Sequence, residues 1–215
     1  MLFGRQFTNV SLPIVYALFH ERENWLQLHR AGAHIPGIKL LAVWAGLSPE
    51  DKRAIVSQLR HNMDDLRSIP PPAYYSGIWR QPIQDWWFVD PELQIHLHRD
   101  TAISGPQESE EDWAEAMWRC LDTRVKNEER RRLSLRQRHY KAMFQGHKPV
   151  FTHADLSLGN NMIHQDNSVV ITDWQRSGWY PSFCEYCGAM LLYENENDWG
   201  GWVSCILDEY IPEFG

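Results

Sequence analysis

Several things are missing from this chain. No apolar run is long enough to span a membrane; the longest near the start, Val10–Phe19, is short and contains Pro13. The "HEREN" that follows it, with no small-residue cleavage pattern, does not read as a secretion signal. Cysteine is scarce, four in 215 residues at Cys120, Cys184, Cys187 and Cys205. A core of that size needs no disulfide staples, so reduced thiols in a cytoplasmic protein are expected. No internal repeat or low-complexity block stands out. No two glycines lie two apart, so no G-x-G phosphate loop is written anywhere. Positive charge is short: 21 Lys and Arg face 28 Asp and Glu, a net charge of -7. That balance weighs against nucleic acid as a partner and would suit a cationic small substrate.

What remains is ordinary for a globular protein, with 43% hydrophobic and 23% charged residues. The length allows one large domain or one and a half small ones. Residues 8–19, "TNVSLPIVYALF", read as a β-rich run after a polar start, and "GAHIPGIKL" as a connector. Ser48-Pro49-Glu50-Asp51 is a helix start: capping serine, proline at the first position, then acids. Ile55, Val56, Leu59, Met63 and Leu66 then share one helical face, until Pro70-Pro71-Pro72 stops the helix. Residues 73–108 read as irregular. A second helix starts at Ser109 with Asp112 three positions on. "NEERRRLSLRQRHYKAMF" continues helical, Pro181 opens another helix through "SFCEYCGAMLLY", and a last one runs near "WGGWVSCILDEY".

Some patterns imitate chemistry. "HLHRD" at 96–100 has Gly105, not Asn, five residues past its Asp, and no hairpin follows. Gly32 to Gly37 has P-loop glycine spacing but is followed by Ile38 in place of Lys. "EERRRLSLRQR" is basic and could touch phosphate, yet reads as a solvated helix face. Cys184-x-x-Cys187 could be a redox or zinc pair, but no second pair accompanies it and it falls in an expected helix. Most of the eleven tryptophans are expected in the core.

The segment "FTHADLSLGNNMIHQDNSVVITDW", from Phe151 to Trp174, is different. Asn161–His164 and Ser168–Thr172 are short extended runs around a Gln165-Asp166-Asn167 turn. In simple register His164 faces Ser168, Met162 faces Val170 and Asn160 faces Thr172. Asp173 is then delivered beside Asn160, with Asp155 on the loop entering the hairpin. An amide oxygen beside a carboxylate suits Mg²⁺, a hard cation that keeps waters and phosphates as its other ligands. Asp155 would stand off the metal and take the proton of an attacking hydroxyl.

H-x-D-x-x-x-x-N followed by a hairpin and an Asp resembles the catalytic signature of the protein-kinase-like fold. His153-Ala154-Asp155-Leu156-Ser157-Leu158-Gly159-Asn160 with "VVITDWQRSGWYP" is similar to the aminoglycoside phosphotransferase and choline kinase branch. "LRSIPPP", "SGPQESEEDW", "YPSFCEY" and "ENDWGGWVSCILDEY" resemble its fungal-type members. The likeness covers roughly residues 9–215 and is strongest over 148–190. It implies an α+β, protein-kinase-like fold: a mostly helical C-terminal lobe with a short β hairpin, and a remnant of the small β lobe. Residues 1–37 would be a partial N-terminal lobe and linker, and 38–215 the C-terminal lobe.

The resemblance further implies Asp155 as catalytic base, His153 as the histidine bracing the loop, Asn160 and Asp173 as Mg²⁺ ligands, ATP as cofactor, and a small hydroxylated molecule as substrate. Departures accompany it. Ala154 stands for the usual glycine. Ser157 stands where protein kinases carry a phosphate-directed lysine, and Gln175 replaces a common acid. The family's glycine loop and strand lysine have no counterpart, so the chain reads as starting within the small lobe. A catalytically inactive kinase-like interaction module is the alternative expectation, and a thiol or zinc protein centred on Cys184 and Cys187 a third.

Overall fold

The computed structural model describes residues 6–8, 10, 15–20, 28–32, 36–84, 101–124, 144–193 and 198–214. In chain order these contain β1 (Val15–His20), β2 (Leu28–Gly32), β3 (Gly37–Lys39), α1 (Leu40–Val43), α2 (Pro49–Arg67), β4 (Ser76–Gly77) and α3 (Thr101–Ser104). They continue with α4 (Glu110–Arg124), β5 (Pro149–Thr152), β6 (Asn161–His164), β7 (Val169–Ile171), β8 (Gly178–Pro181), α5 (Cys184–Tyr193), α6 (Trp199–Ile206) and α7 (Ile211–Phe214). Strands β1 and β2 pair antiparallel, and two further antiparallel sheets run β3-β6-β7 and β4-β8-β5.

Helix α2 forms as its sequence dictates. The Ser48 hydroxyl accepts the Asp51 N–H at 3.1 Å, Pro49 fills the first turn, and Glu50 and Asp51 complement the positive end of the helix dipole. Its buried residues are Ile55, Val56, Leu59, Met63 and Leu66, the expected face. Each such side chain contributes roughly 1.5–3 kcal/mol when fully buried. Helix α4 is capped in the same way, Ser109 accepting the Asp112 N–H at 3.1 Å.

The β6–β7 hairpin has the expected register, with Met162 opposite Val170, and the His164 N–H bonded to the Ser168 carbonyl at 2.9 Å. Asn167 takes the left-handed turn position (φ 64°) and Asp166 accepts both the N–H and the hydroxyl of Ser168. Gln58 of α2 bonds the Val169 N–H and the Asn167 carbonyl, so the long helix pins this hairpin.

Several expectations are corrected. "GAHIPGIKL" contains strand β3, which pairs with β6. A Cβ at Gly37 would lie 2.4 Å from the Ile163 carbonyl oxygen, so glycine permits that approach. Pro181 ends β8 instead of opening a helix. It faces Pro149 at the end of the ladder, where neither N–H is needed, and α5 begins at Cys184. Helix α6 stops at Ile206, short of "DEY". Residues 73–108 are not wholly irregular, since β4 and α3 lie there. The expected helix over 127–144, its basic "EERRRLSLRQR" and the "HLHRD" segment fall almost entirely outside the described residues.

The core joins both small sheets to the helices. Among the described residues, Trp44, Trp113, Trp199, Tyr180, Tyr186 and Phe151 are the largest fully buried side chains. Cys184 and Cys187 sit unbridged in this core. Burial, and secondarily Glu213, pushes the Cys187 thiol up to about 12, the opposite of what a reactive thiolate requires. Among the described residues no helix is long and apolar enough to cross a membrane.

Candidate active site

Two sheets meet at the segment that reads as chemistry. Strand β5 ends at Thr152 and releases His153, Ala154 and Asp155. Strand β7 ends at Ile171 and releases Thr172 and Asp173. The two exits are tied together. The His153 ring nitrogen Nε2 lies 2.8 Å from the Thr172 carbonyl oxygen. A carbonyl only accepts, so Nε2 carries the proton. His153 is fully buried and its ring stands edge-on to Trp174 with centroids 4.7 Å apart, so it braces the two loops and faces no solvent.

The expected pairing of Asn160 with Thr172 is present: the Thr172 N–H and hydroxyl both donate to the Asn160 carbonyl, at 2.7 and 2.9 Å. Asp173 follows immediately, in left-handed backbone (φ 62°, ψ 57°) at the start of the 3₁₀ turn Trp174–Arg176. Such a backbone is tolerated by Asp and recurs where a side chain must be aimed. The Asn160 amide nitrogen donates to the Asp155 carbonyl at 3.0 Å. That bond fixes the amide's orientation and turns Oδ1 away as an acceptor. Asn160, Asp155 and Asp173 are all half-buried. The structure thus brings the four expected residues, His153, Asp155, Asn160 and Asp173, onto one pair of tied loops.

Three participants are not evident from the motif. Glu185, on the first turn of α5, is 2% exposed and accepts the His153 N–H at 2.6 Å and the Ala154 N–H at 3.2 Å. A lone acid in the otherwise apolar "CEYCGAMLLY" is the signal that could have found it. Arg176 places Nη1 3.6 Å from Asp155 Oδ2. Its backbone is held by the Tyr180 hydroxyl, which donates to the Arg176 carbonyl at 2.6 Å. Trp199 of α6 donates its indole N–H to the Leu156 carbonyl at 3.4 Å, just past Asp155.

The departures also find places. Ala154 has φ 66°, the left-handed conformation that glycine occupies without steric cost. Ser157 is buried and holds the loop through its backbone, donating to the Asp155 carbonyl at 2.9 Å and accepting from the Asn161 amide at 2.6 Å. Gln175 is exposed.

A family model described as the phosphotransferase enzyme family matches residues 5–213. Among solved structures, the gentamicin complex of APH(2")-IIa matches with a TM-score of 0.59 at 12% identity, covering 99% of this chain and 64% of that one. ADP-bound aminoglycoside phosphotransferase APH(2'')-Ib matches with a TM-score of 0.56 at 12% identity, covering 99% of this chain and 65% of that one. The chain therefore spans just under two thirds of the length of these structures, with which it shares the kinase-like fold. No curated protein sequence matches it.

Proposed function

The chain belongs to the phosphotransferase enzyme family, and on that premise we propose that it transfers the terminal phosphoryl group of ATP to a hydroxyl of a small molecule. The observation that supports this reading is the tie between the two loops that carry Asp155, Asn160 and Asp173, with the Asn160 amide oriented by the Asp155 carbonyl. The donor set fits Mg²⁺: a carboxylate from Asp173 and an amide oxygen from Asn160, both oxygen ligands for a hard cation. Bound there, the ion would neutralise charge on the ATP phosphates.

The chain's own residues do the rest. Asp155 accepts the proton of the acceptor hydroxyl as its oxygen attacks the γ-phosphorus. The bond from that phosphorus to the bridging oxygen breaks, and ADP leaves. Arg176, beside Oδ2, holds the Asp155 carboxylate in place. His153 and Glu185 hold the loop: one fixes it to the Thr172 carbonyl, the other satisfies two backbone N–H groups that would otherwise be buried without partners. Unbridged Cys120, Cys184 and Cys187 suit a reducing compartment, so we place the protein in the cytoplasm.

A second reading, a kinase-like interaction module without catalysis, draws on the absence of any G-x-G pair from the sequence. Phosphate release from γ-labelled ATP to hydroxylated acceptors separates the two. Transfer by the purified protein that falls roughly 10²–10⁴-fold in Asp155→Asn supports the enzyme. Transfer that is absent, or unaffected by Asp155→Asn, supports the module.

A further inference from the structure

One large side chain stands where the packing does not need it. Trp79 is 72% exposed, the most exposed of the large hydrophobics among the described residues. It also sits at φ 56°, and the next residue, Arg80, at φ 58°. Two consecutive non-glycine residues in left-handed backbone cost free energy, and a bulky aromatic is a true outlier there. Burial of the indole does not compensate for this.

The turn that imposes the conformation is tightly built. The Gly77 N–H donates to the Gln81 carbonyl at 2.8 Å, and a Cβ on Gly77 would lie 2.9 Å from the Pro82 carbonyl oxygen. Arg80 is fixed on both sides, paired with Glu108 and lying 4.4 Å over the Tyr74 ring. The Tyr75–Gln107 bridge ties the base of the turn to the chain beyond it. Trp79 is thus presented by a braced loop.

The sheet shows where it is presented. In β4-β8-β5, Gly77 faces Gly178 and Gly178 faces Thr152, so these three residues form one row. From that row β5 runs on into His153 and Asp155, β8 is entered from Arg176 and Ser177, and β4 runs on into Ile78 and Trp79. All three segments leave the same end of the sheet. Neighbouring strands are about 4.8 Å apart, so the exits fall within about 10 Å, the size of a small-molecule substrate. Arg176 already bridges from the middle exit to Asp155.

We propose that Trp79 is the specificity-determining residue of this site, its exposed indole stacking on the ring of a ring-bearing hydroxyl compound. The inference rests on the phosphotransferase reading for its reaction but on the sheet geometry for its place. An indole face takes the C–H face of a saturated ring or an aromatic ring, which an open-chain alcohol does not offer. Arg80 and Arg176 at these exits are each paired with a carboxylate, Glu108 and Asp155, so the choice between ring and open-chain compounds falls to the indole.

The test uses full-length protein labelled with 5-fluorotryptophan, in which the Trp79 fluorine resonance is the one lost in Trp79→Phe. Methyl β-glucoside, phenyl β-glucoside and myo-inositol are titrated, with 1,3-propanediol and glycerol as open-chain comparators. The expected result is a saturable shift of the Trp79 resonance with at least one ring compound and neither comparator. Trp79→Ala then weakens that compound about five- to tenfold. Trp79→Gly does the same while raising the melting temperature, because glycine relieves the backbone; a merely structural tryptophan would lower it. If phosphoryl transfer is measurable, Trp79→Ala raises the acceptor KM and leaves that of ATP unchanged. If transfer is absent but the Trp79 shift persists, the catalytic reading fails and the recognition site stands. No shift with any ring compound, an equal shift with 1,3-propanediol or glycerol, or a dimer lost in Trp79→Ala by sedimentation would overturn the proposal.

Discussion

Ala154 shows how one residue can record a family's geometry while departing from its sequence. Its φ of 66° belongs to the region where a Cβ crowds the following carbonyl oxygen. Ala154→Gly removes that crowding, although glycine also gains freedom in the unfolded chain. The net expectation is a gain of up to about 1 kcal/mol, read as a higher urea midpoint with unchanged slope. Glu185 is the opposite case, a residue the site needs and the motif does not mention. Glu185→Ala leaves the His153 and Ala154 N–H groups buried without an acceptor, at about 1–3 kcal/mol each. The expected outcome is a markedly lower midpoint and faster amide exchange confined to residues 153–155. A variant of wild-type stability would show that this carboxylate does not hold the loop.

Elements differ in how far the sequence announces them. Helix α2 is legible because cap, proline, first-turn acids and a five-residue apolar face all agree. The β6–β7 register is legible because a two-residue period around a turn leaves little choice. Strand β3 is not, since "GIK" is short and exposed and acquires its conformation from pairing with β6. Pro181 misleads because a fixed φ serves a strand end as well as a helix start. Within the candidate site, the pairing of Asn160 with Thr172, and with it the backbone position of Asp173, is legible from spacing. Glu185 is not, because its partners lie more than thirty positions away in sequence and only tertiary folding brings them together. The junction of α2 and α6 offers a pH test. The Trp202 indole N–H, Lys52 and the Trp44 indole N–H hold the Asp198 carboxyl at about 2, below the ordinary 3.8. A depressed carboxyl stabilises the fold above its unfolded value and loses that contribution as pH falls through about 2. The stability gap between wild type and Asp198→Asn should therefore be constant above about pH 5 and shrink between pH 4 and 2. Parallel stability curves across that window would show that these contacts do not stabilise the charged form.

For the whole molecule, the fold places two loop exits from different sheets side by side and fixes them with a buried histidine and a buried glutamate. On the proposed function, this junction would hold a metal–nucleotide complex, with Asp173 on the metal and Asp155 reserved for the acceptor. Calorimetric titration of ADP with Mg²⁺ into wild type, Asp155→Asn and Asp173→Asn separates these roles. The expected result is measurable binding by wild type, similar binding by Asp155→Asn, and for Asp173→Asn a loss at least as large as the roughly 10–100-fold seen on removing an outer-sphere partner. No binding by wild type at millimolar nucleotide, or equal binding by Asp173→Asn, would rule those roles out.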